Sequence, residues 1–460
     1  MNDNKEFLAK EPIGKLLLKL AIPTVIAQIV NMLYNIVDRI YIGHIPGEGS
    51  LALTGVGVCM PIIMIVSAFA ALIGTGGAPR SSIFMGKGDK NSAEKILGGC
   101  FTLQLFISAI LTLVLLLWGE ELLLAFGASD NTISYATDYL NIYAVGTVFV
   151  QLTLGMGAFI TAQGFAKQGM VTVLLGAFCN IILDPVFIFG FNMGVKGAAA
   201  ATVISQAASC TWVLLFLTSK KTMLKIKSKN MMIDFKLVLP CVALGLASFV
   251  MQSSESVISV CFNSSLLEYG GDIAVGAMTI LTSVMQFAML PMMGIAQGAQ
   301  PITGYNFGAG HTERVKNTVS LLLKVCLTYS FILWMVIMLF PSGFAGIFSS
   351  DTTLIEFTAP ALRIYCAVLC IFGIQTACQM TFVSIGNAVS SITVAVVRKF
   401  VLLLPLIYIV PEFVENKTMG VYLAEPIADV LAVSFTSVLF SVQFKKALNR
   451  LSDANGGKLK

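Results

Sequence analysis

Two carboxylates stand in segments apolar enough to face lipid. Asp38 follows Gln28, Asn31 and Asn35 at spacings of three, four and three, which puts all four on one face of a helix. Tyr34 lies one turn before Asp38 on the neighbouring edge. Asp184 follows Asn180 by one turn and precedes Pro185, whose missing N–H and ring disturb the carbonyl of Ile181. An amide, a carboxylate and a freed carbonyl are the oxygen ligands that a hard cation prefers. Thr202 and Ser205 bring hydroxyls in the next apolar segment, and Ser248, Gln252, Glu255 and Ser259 repeat the polar stripe later in the chain. The chemistry these residues can do is reversible binding of a cation or a proton.

An ionised side chain at membrane depth costs roughly 2.5–3.5 kcal/mol on insertion scales, so it needs a reason to be there. The plain reason is hydrogen bonding between helices, and for the serines and threonines we take it. Asn would serve that purpose as well as Asp, so Asp38 and Asp184 demand a positive partner. Glu255 is open between the two readings, with Tyr34, Asn35 and Gln252 grouped beside it as substrate or coupling residues. Glu425 and Asp429 are read as reaching the interface near the outer end of the last helix.

Other chemistries find little support. Ten cysteines are scattered without a C-x-x-C pair, and Cys366 and Cys370, on one helix face, read as packing. His44 and His311 both fall in loops. Neither a metal centre nor an intramembrane enzyme emerges, and no cofactor is expected beyond the coupling ion.

The elements that must hold these residues follow from composition. Of 460 residues 57% are apolar and only 12% charged, too few to cover a soluble protein of this size. Mean hydropathy is +0.86, so lipid is the solvent. Taking about 20 residues per crossing, the apolar runs predict helices over 16–40, 51–74, 96–118, 134–160, 169–190, 195–218, 237–262, 273–298, 317–340, 358–383, 389–411 and 420–443. The runs are too long and too evenly apolar for barrel strands. The N-terminus is polar as far as Lys15 and the first apolar run is of full crossing length, so no cleavable signal peptide is expected.

Basic residues set the orientation. Lys5, Lys10 and Lys15, the loop after helix 2 with Arg80 and Lys87, and Lys167 fall on one side. So do the lysines of 219–236, Arg314, a loop holding Arg398 and Lys399, and a tail with Lys458 and Lys460. The opposite loops are mainly acidic, with Lys196 and Lys417 as exceptions. By the positive-inside rule both termini are cytoplasmic, and the net charge of +5 reflects topology rather than nucleic-acid binding.

The chain also repeats itself. A shift of 217 places Pro23 on Pro240 and Asp38 on Glu255; a shift of 222 places Gly76 and Pro79 on Gly298 and Pro301, and Gly86 on Gly308. A five-residue insertion in the first loop of the second half reconciles the two. Met193-Gly-Val195 and Met419-Gly-Val421 then open the sixth helix of each half. The predicted fold is an all-α membrane protein, with twelve transmembrane helices in two like-oriented six-helix bundles. The units are a lobe over 1–218, a basic cytoplasmic linker over 219–236 and a lobe over 237–460. A cleft between two such bundles suits alternating access.

At these residues the sequence resembles the multidrug and toxic compound extrusion (MATE) family, bacterial type. The resemblance is carried by Leu20-Ala-Ile-Pro23 with Asp38, and by Asn180-x-x-Leu183-Asp184-Pro185. Gly194-Val195-x-Gly197-Ala198-Ala199 and a loop from Gly298 through Pro301, Tyr305 and Asn306 to Gly310 complete it. It implies cation-coupled (Na⁺ or H⁺) export of lipophilic, often cationic drugs from a bacterial inner membrane. The expected partners are the bilayer and small substrates, without nucleic acid, and a monomer. The resemblance maps a cation site onto Asp38, Asn180, Asp184 and Thr202, and a helix-7 acid onto Glu255. Where some members carry a helix-10 acid this chain has Gln375 and Gln379, which favours coupling through the first lobe. The alternative is a flippase for a lipid-linked precursor, which calls for basic residues in the cleft; the intramembrane charges read as acidic, with Arg39 and Arg363 near outer helix ends.

Overall fold

The computed structural model describes residues 7–349 and 351–456. Lys5, Lys458 and Lys460 lie outside the described residues. The first six long helices are α1 (Ile13–Gly43), α2 (Gly49–Gly86), α3 (Lys90–Ala125), α4 (Ile133–Ala162), α5 (Ala166–Pro185) and α6 (Gly194–Thr218). A helix of 74 residues, Phe235–Gly308, follows. At 1.5 Å per residue it would be about 110 Å long, far beyond a hydrocarbon core of about 30 Å. It breaks at Gly271, whose φ of 66° is open to glycine. The two arms return alongside one another, because Cys241 and Tyr305 both touch α2, at Gly76 and Gly86. We label them α7 (235–270) and α8 (272–308). Then come α9 (Thr312–Leu339), α10 (Thr352–Tyr365 bent by 52° onto Leu369–Ser384), α11 (Ala388–Phe413) and α12 (Lys417–Gly456).

Among the described residues ten helices are long and apolar enough to cross a membrane, and the bent pair adds an eleventh. Counting the arms of the 74-residue helix separately gives twelve. Their outer faces are apolar: along α3, Phe106, Leu113 and Leu117 are 58–63% exposed, a stripe only lipid would tolerate.

Several helices outrun their apolar cores, and three sequence readings change with them. Arg80 is inside α2 rather than in the loop after it. The stretch from Gly298 to Gly308 is the last part of α8, not a loop. Arg398 and Lys399 are buried within α11, in a π-helical segment spanning Val397–Leu403. The loop in which an insertion was expected is itself helical up to Gly271, so the extra residues lengthen helices.

The halves meet along a seam of glycines. A Cβ on Gly86 would sit 2.0 Å from the Tyr305 carbonyl oxygen, and one on Gly308 would sit 1.9 Å from that of Ile83. The shift of 222 carries Ile83 onto Tyr305 and Gly86 onto Gly308, so α2 and α8 meet through equivalent residues. Such self-complementary contact is what a two-fold axis between duplicated units produces. Nearby, Thr24 donates to the Gly294 carbonyl at 2.6 Å, and Arg314 donates to the Leu8 and Glu11 carbonyls. Gln28 Nε2 donates to Gln297 Oε1 at 3.1 Å, and Phe69 and Phe249 stack edge to face.

Among the described residues, the hydrogen bonds and ring contacts joining the halves reach no closer to the acidic face than these last two pairs. Beyond them α1 exposes Asn31 and Arg39, and α7 exposes Gln252, Glu255 and Ser259. Polar side chains in that number do not face lipid. The halves therefore enclose a water-accessible cleft that is shut on the basic side and open toward the acidic side.

The segment 219–236 is bound tightly to the first half. Gln163, fully buried, accepts with Oε1 from the Thr222 hydroxyl and from the N–H groups of Met223 and Leu224 at 2.7–2.9 Å. Glu94 pairs with Lys227 and Lys90. Gln163→Leu strands two N–H donors, the Thr222 hydroxyl keeping the Leu224 carbonyl as acceptor, and at roughly 1–3 kcal/mol for each that water does not reach, the expected loss is on the order of 3 kcal/mol. Thermal unfolding of the purified protein measures it.

Candidate functional site

Three helices of the first half converge on Asp38. α5 presents Asn180 and Asp184 one turn apart on its inward face, 1% and 0% exposed. Just past Asp184, Pro185 ends the regular helix, and a π-helical turn over Val186–Gly190 follows. Such turns place side chains that a regular helix would turn away. Asn180 Nδ2 donates to Asp184 Oδ1 at 3.1 Å and approaches Thr202 Oγ1 of α6 at 3.5 Å. The carboxyl groups of Asp38 and Asp184 lie within interaction range of one another.

Among the described residues no base is ion-paired with this cluster; Arg39, the neighbour of Asp38 in sequence, lies within electrostatic reach of it, and its side chain is exposed. Asp38 Oδ1, Asn180 Oδ1 and Asp184 Oδ2 are all buried without a hydrogen-bond donor. Buried oxygens are rarely left so, and three together describe a cradle for a cation or an added proton. A small cavity of about 50 Å³ lies alongside, lined by Asn31, Tyr34, Asn180, Thr202 and Ser205, with room for a few water-sized species.

The structure brings together the four residues read as a cation site and adds Tyr139 of α4. Its hydroxyl reaches Thr202, and it lies within electrostatic reach of Asp38. The sequence reading missed it, although Tyr139 opens a row with Tyr143, Thr147 and Gln151 at four-residue spacing on α4, which was the available signal. The stripe on α1 does not act as one unit. Gln28 bonds across the seam, and Asn35 donates to the Asn31 carbonyl at 2.6 Å. Tyr34 faces Asp38 and Asp184.

The second half is built differently at the matching place. Glu255, which the internal repeat pairs with Asp38, accepts from Lys399 Nζ at 2.7 Å. Arg398 Nε donates to Asp429 at 2.9 Å and its NH2 group to Glu425 at 3.2 Å, while its guanidinium lies 4.6 Å from the Phe372 ring centroid. Glu425 and Asp429 are each 6% exposed and do not reach the interface. Arg398 and Lys399 are 9% and 4% exposed, which overturns both their assignment to a loop and the reading of the intramembrane charge as purely acidic. A signal was present, because both bases fall inside the apolar run 389–411. Gln379 donates to Ser391, and Gln252 lies exposed one turn from Glu255.

So each half carries an acid at the same position on its first helix. In the first half its partner is another acid, and in the second it is a base.

The sequence profile of the MatE family matches twice, over residues 23–186 and 247–409. The chain belongs to the MATE family. These are membrane transporters, and the double match follows the internal repeat. Among relatives, the multidrug export protein MepA of Staphylococcus haemolyticus is 26% identical over 375 residues, 81% of this chain and 82% of that one. MepA of Staphylococcus aureus is 23% identical over 368 residues, 80% of this chain and 81% of that one. A MATE crystal structure in a bent conformation superposes with a TM-score of 0.91 at 23% identity, covering 98% of this chain and all of that one. An outward-facing multidrug resistance MATE transporter gives 0.90 at 23% identity over 97% of this chain and 99% of that one. At such identities the structural likeness fixes the fold, and the site is read from this chain's own residues.

Proposed function

We propose that this MATE transporter is a cation-coupled antiporter that exports lipophilic, often cationic drugs by alternating access. The observation that carries the proposal is the Asp38–Asp184 pair: two neighbouring acids, Asp184 fully buried and Asp38 half-buried, each with a buried oxygen that no donor satisfies. Two neighbouring negative charges in a low dielectric strongly disfavour one another unless a cation or a proton joins them. Na⁺ would be held by Asp38, Asn180, Asp184 and Thr202 as oxygen ligands. A proton would sit on one carboxyl of the pair. Either arrives through the cleft and changes the packing of α1 against α5 and α6.

The proposed organisation is a lobe over 1–218, a linker over 219–236 and a lobe over 237–460, working as a monomer in a bacterial inner membrane. The loop charges support cytoplasmic termini. With that orientation the cleft faces outward, ready to take up the cation and release drug. Export of varied compounds is what the MepA relatives are named for. Apolar residues exposed beside the polar stripes, among them Ile36 and Val257, would give the cleft adaptable walls.

A second reading, a flippase for an anionic lipid-linked precursor, gains a basic residue in Lys399, buried behind the exposed Glu255. Three acids surround two bases there, however, and the surplus is negative, which repels a pyrophosphate. Purified protein in liposomes, loaded with a lipophilic cationic dye, separates the readings. Dye efflux is expected under an imposed sodium or proton gradient and is expected to cease without one. Efflux that ignores both gradients would remove the coupling, and no efflux at all would remove drug export.

A further inference from the structure

The charged cluster of the second half has a surplus and a movable member. Glu255 on α7, Glu425 and Asp429 on α12, and Arg398 and Lys399 on α11 make three acids against two bases. Arg398 is committed, held between both α12 carboxylates with its face on Phe372. Two buried acids share one guanidinium, so the second must hold a proton or meet another cation. Lys399 answers a different acid. Its Nζ binds Glu255, whose side chain is 55% exposed to the cleft while that of Lys399 is 6% exposed. Lys399 also lies within electrostatic reach of Glu425. The other groups facing the cluster are the Tyr365 hydroxyl and the Cys366 thiol of α10, neither of them a cation. Both bases sit in the π-helical segment Val397–Leu403, where regular helical bonding is already relaxed.

We propose that Lys399 is a tethered counter-ion that organic cations displace from Glu255, and that it then swings inward onto Glu425 and Asp429, which otherwise share a single base. Glu255 becomes a cation subsite whose occupant in the absence of substrate is supplied by the protein. The exchange keeps charge paired at every stage: substrate cation on Glu255, lysine on the α12 acids. It also gives α11 and α12 a stake in whether substrate is bound, since the lysine tightens their contact only when displaced. The inference deepens the export reading by naming which wall of the cleft recognises positive charge, and it rests on that reading for its substrate.

Equilibrium binding of tetraphenylphosphonium to the purified, detergent-solubilised protein tests it, with an uncharged lipophilic dye as control. Lys399→Gln removes the competitor and is expected to tighten tetraphenylphosphonium binding about tenfold while leaving the neutral dye unchanged. Glu425→Gln, which leaves an acceptor for Arg398 and never meets the cleft, removes the lysine's inward berth and is expected to weaken cation binding severalfold. In a Lys399→Gln background the Glu425→Gln effect is expected to vanish. An unchanged affinity in Lys399→Gln, or a Glu425→Gln defect that persists without the lysine, overturns the proposal. A parent protein that binds the neutral dye and no cation overturns it as well. If the parent binds neither probe, the export reading itself fails, a distinguishable result.

Discussion

Asp184→Asn folds, inserts and loses gradient-driven export. The substitution is nearly isosteric and retains an oxygen to accept from Asn180 Nδ2, now at 3.1 Å. No packing is lost around a residue that is fully buried. What disappears is one of two negative charges, and with it the demand for an added cation, because a single Asp38 beside an amide binds a cation far more weakly than the pair does. Coupling free energies between sites are typically about 1–3 kcal/mol, or 5–150-fold. Steady-state dye accumulation outside proteoliposomes under a sodium or proton gradient should fall toward the upper end of that range, with unchanged yield and melting temperature. Normal gradient-driven efflux in this variant would sink the mechanism. Asp38→Asn is expected to behave alike, and the double variant to be no worse than either single one, since the two carboxylates act as one unit.

How far the sequence could lead is clearest from comparing the two acids. Asp38 and Glu255 were both visible as charges in apolar helices, and the repeat made them equivalent. Local spacing set Asn180 and Asp184 on one face, but their meeting with Asp38, on a helix far away in sequence, was legible only through the family resemblance. The partner of Glu255 was not legible at all. Lys399 lies 144 residues away, and which helix faces α7 is decided by packing across the bundle. The positive-inside rule also misled here. It treats each Lys or Arg near an apolar run as a loop residue, whereas Arg398 and Lys399 are kept in the interior by acids on two other helices. Helix number and order followed from apolar length alone. The ends did not, since α2 and α8 extend past their apolar cores to meet each other at Gly86 and Gly308, a contact that only the folded seam explains.

That internal ion cluster carries the largest expected effect on stability. Arg398→Met leaves Glu425 and Asp429 facing each other with no guanidinium between them, both nearly inaccessible to water. Removing one partner of a buried ion pair costs roughly 3–5 kcal/mol, because the remaining charge is neither solvated nor compensated. Here two acids remain and Lys399, within reach of Glu425, can answer only one of them, so the loss stays within that range and the variant should yield little monodisperse protein. Neutralising the acids at the same time, in Arg398→Met/Glu425→Gln/Asp429→Asn, removes the stranded charges and should recover most of the stability, since a buried ion network adds little net energy over a well-packed neutral one. Lys399→Met sets the contrast. Its partner Glu255 is half in water, so the charge left behind is solvated and the expected cost is under about 1 kcal/mol. Thermal melts of the three purified proteins, read by size-exclusion fluorescence, give the order. A Lys399→Met variant as unstable as Arg398→Met would mean that Glu255 is sealed from the cleft, and a triple variant as unstable as Arg398→Met would mean that the guanidinium stabilises the α11–α12 contact by its packing on Phe372 rather than by its charge.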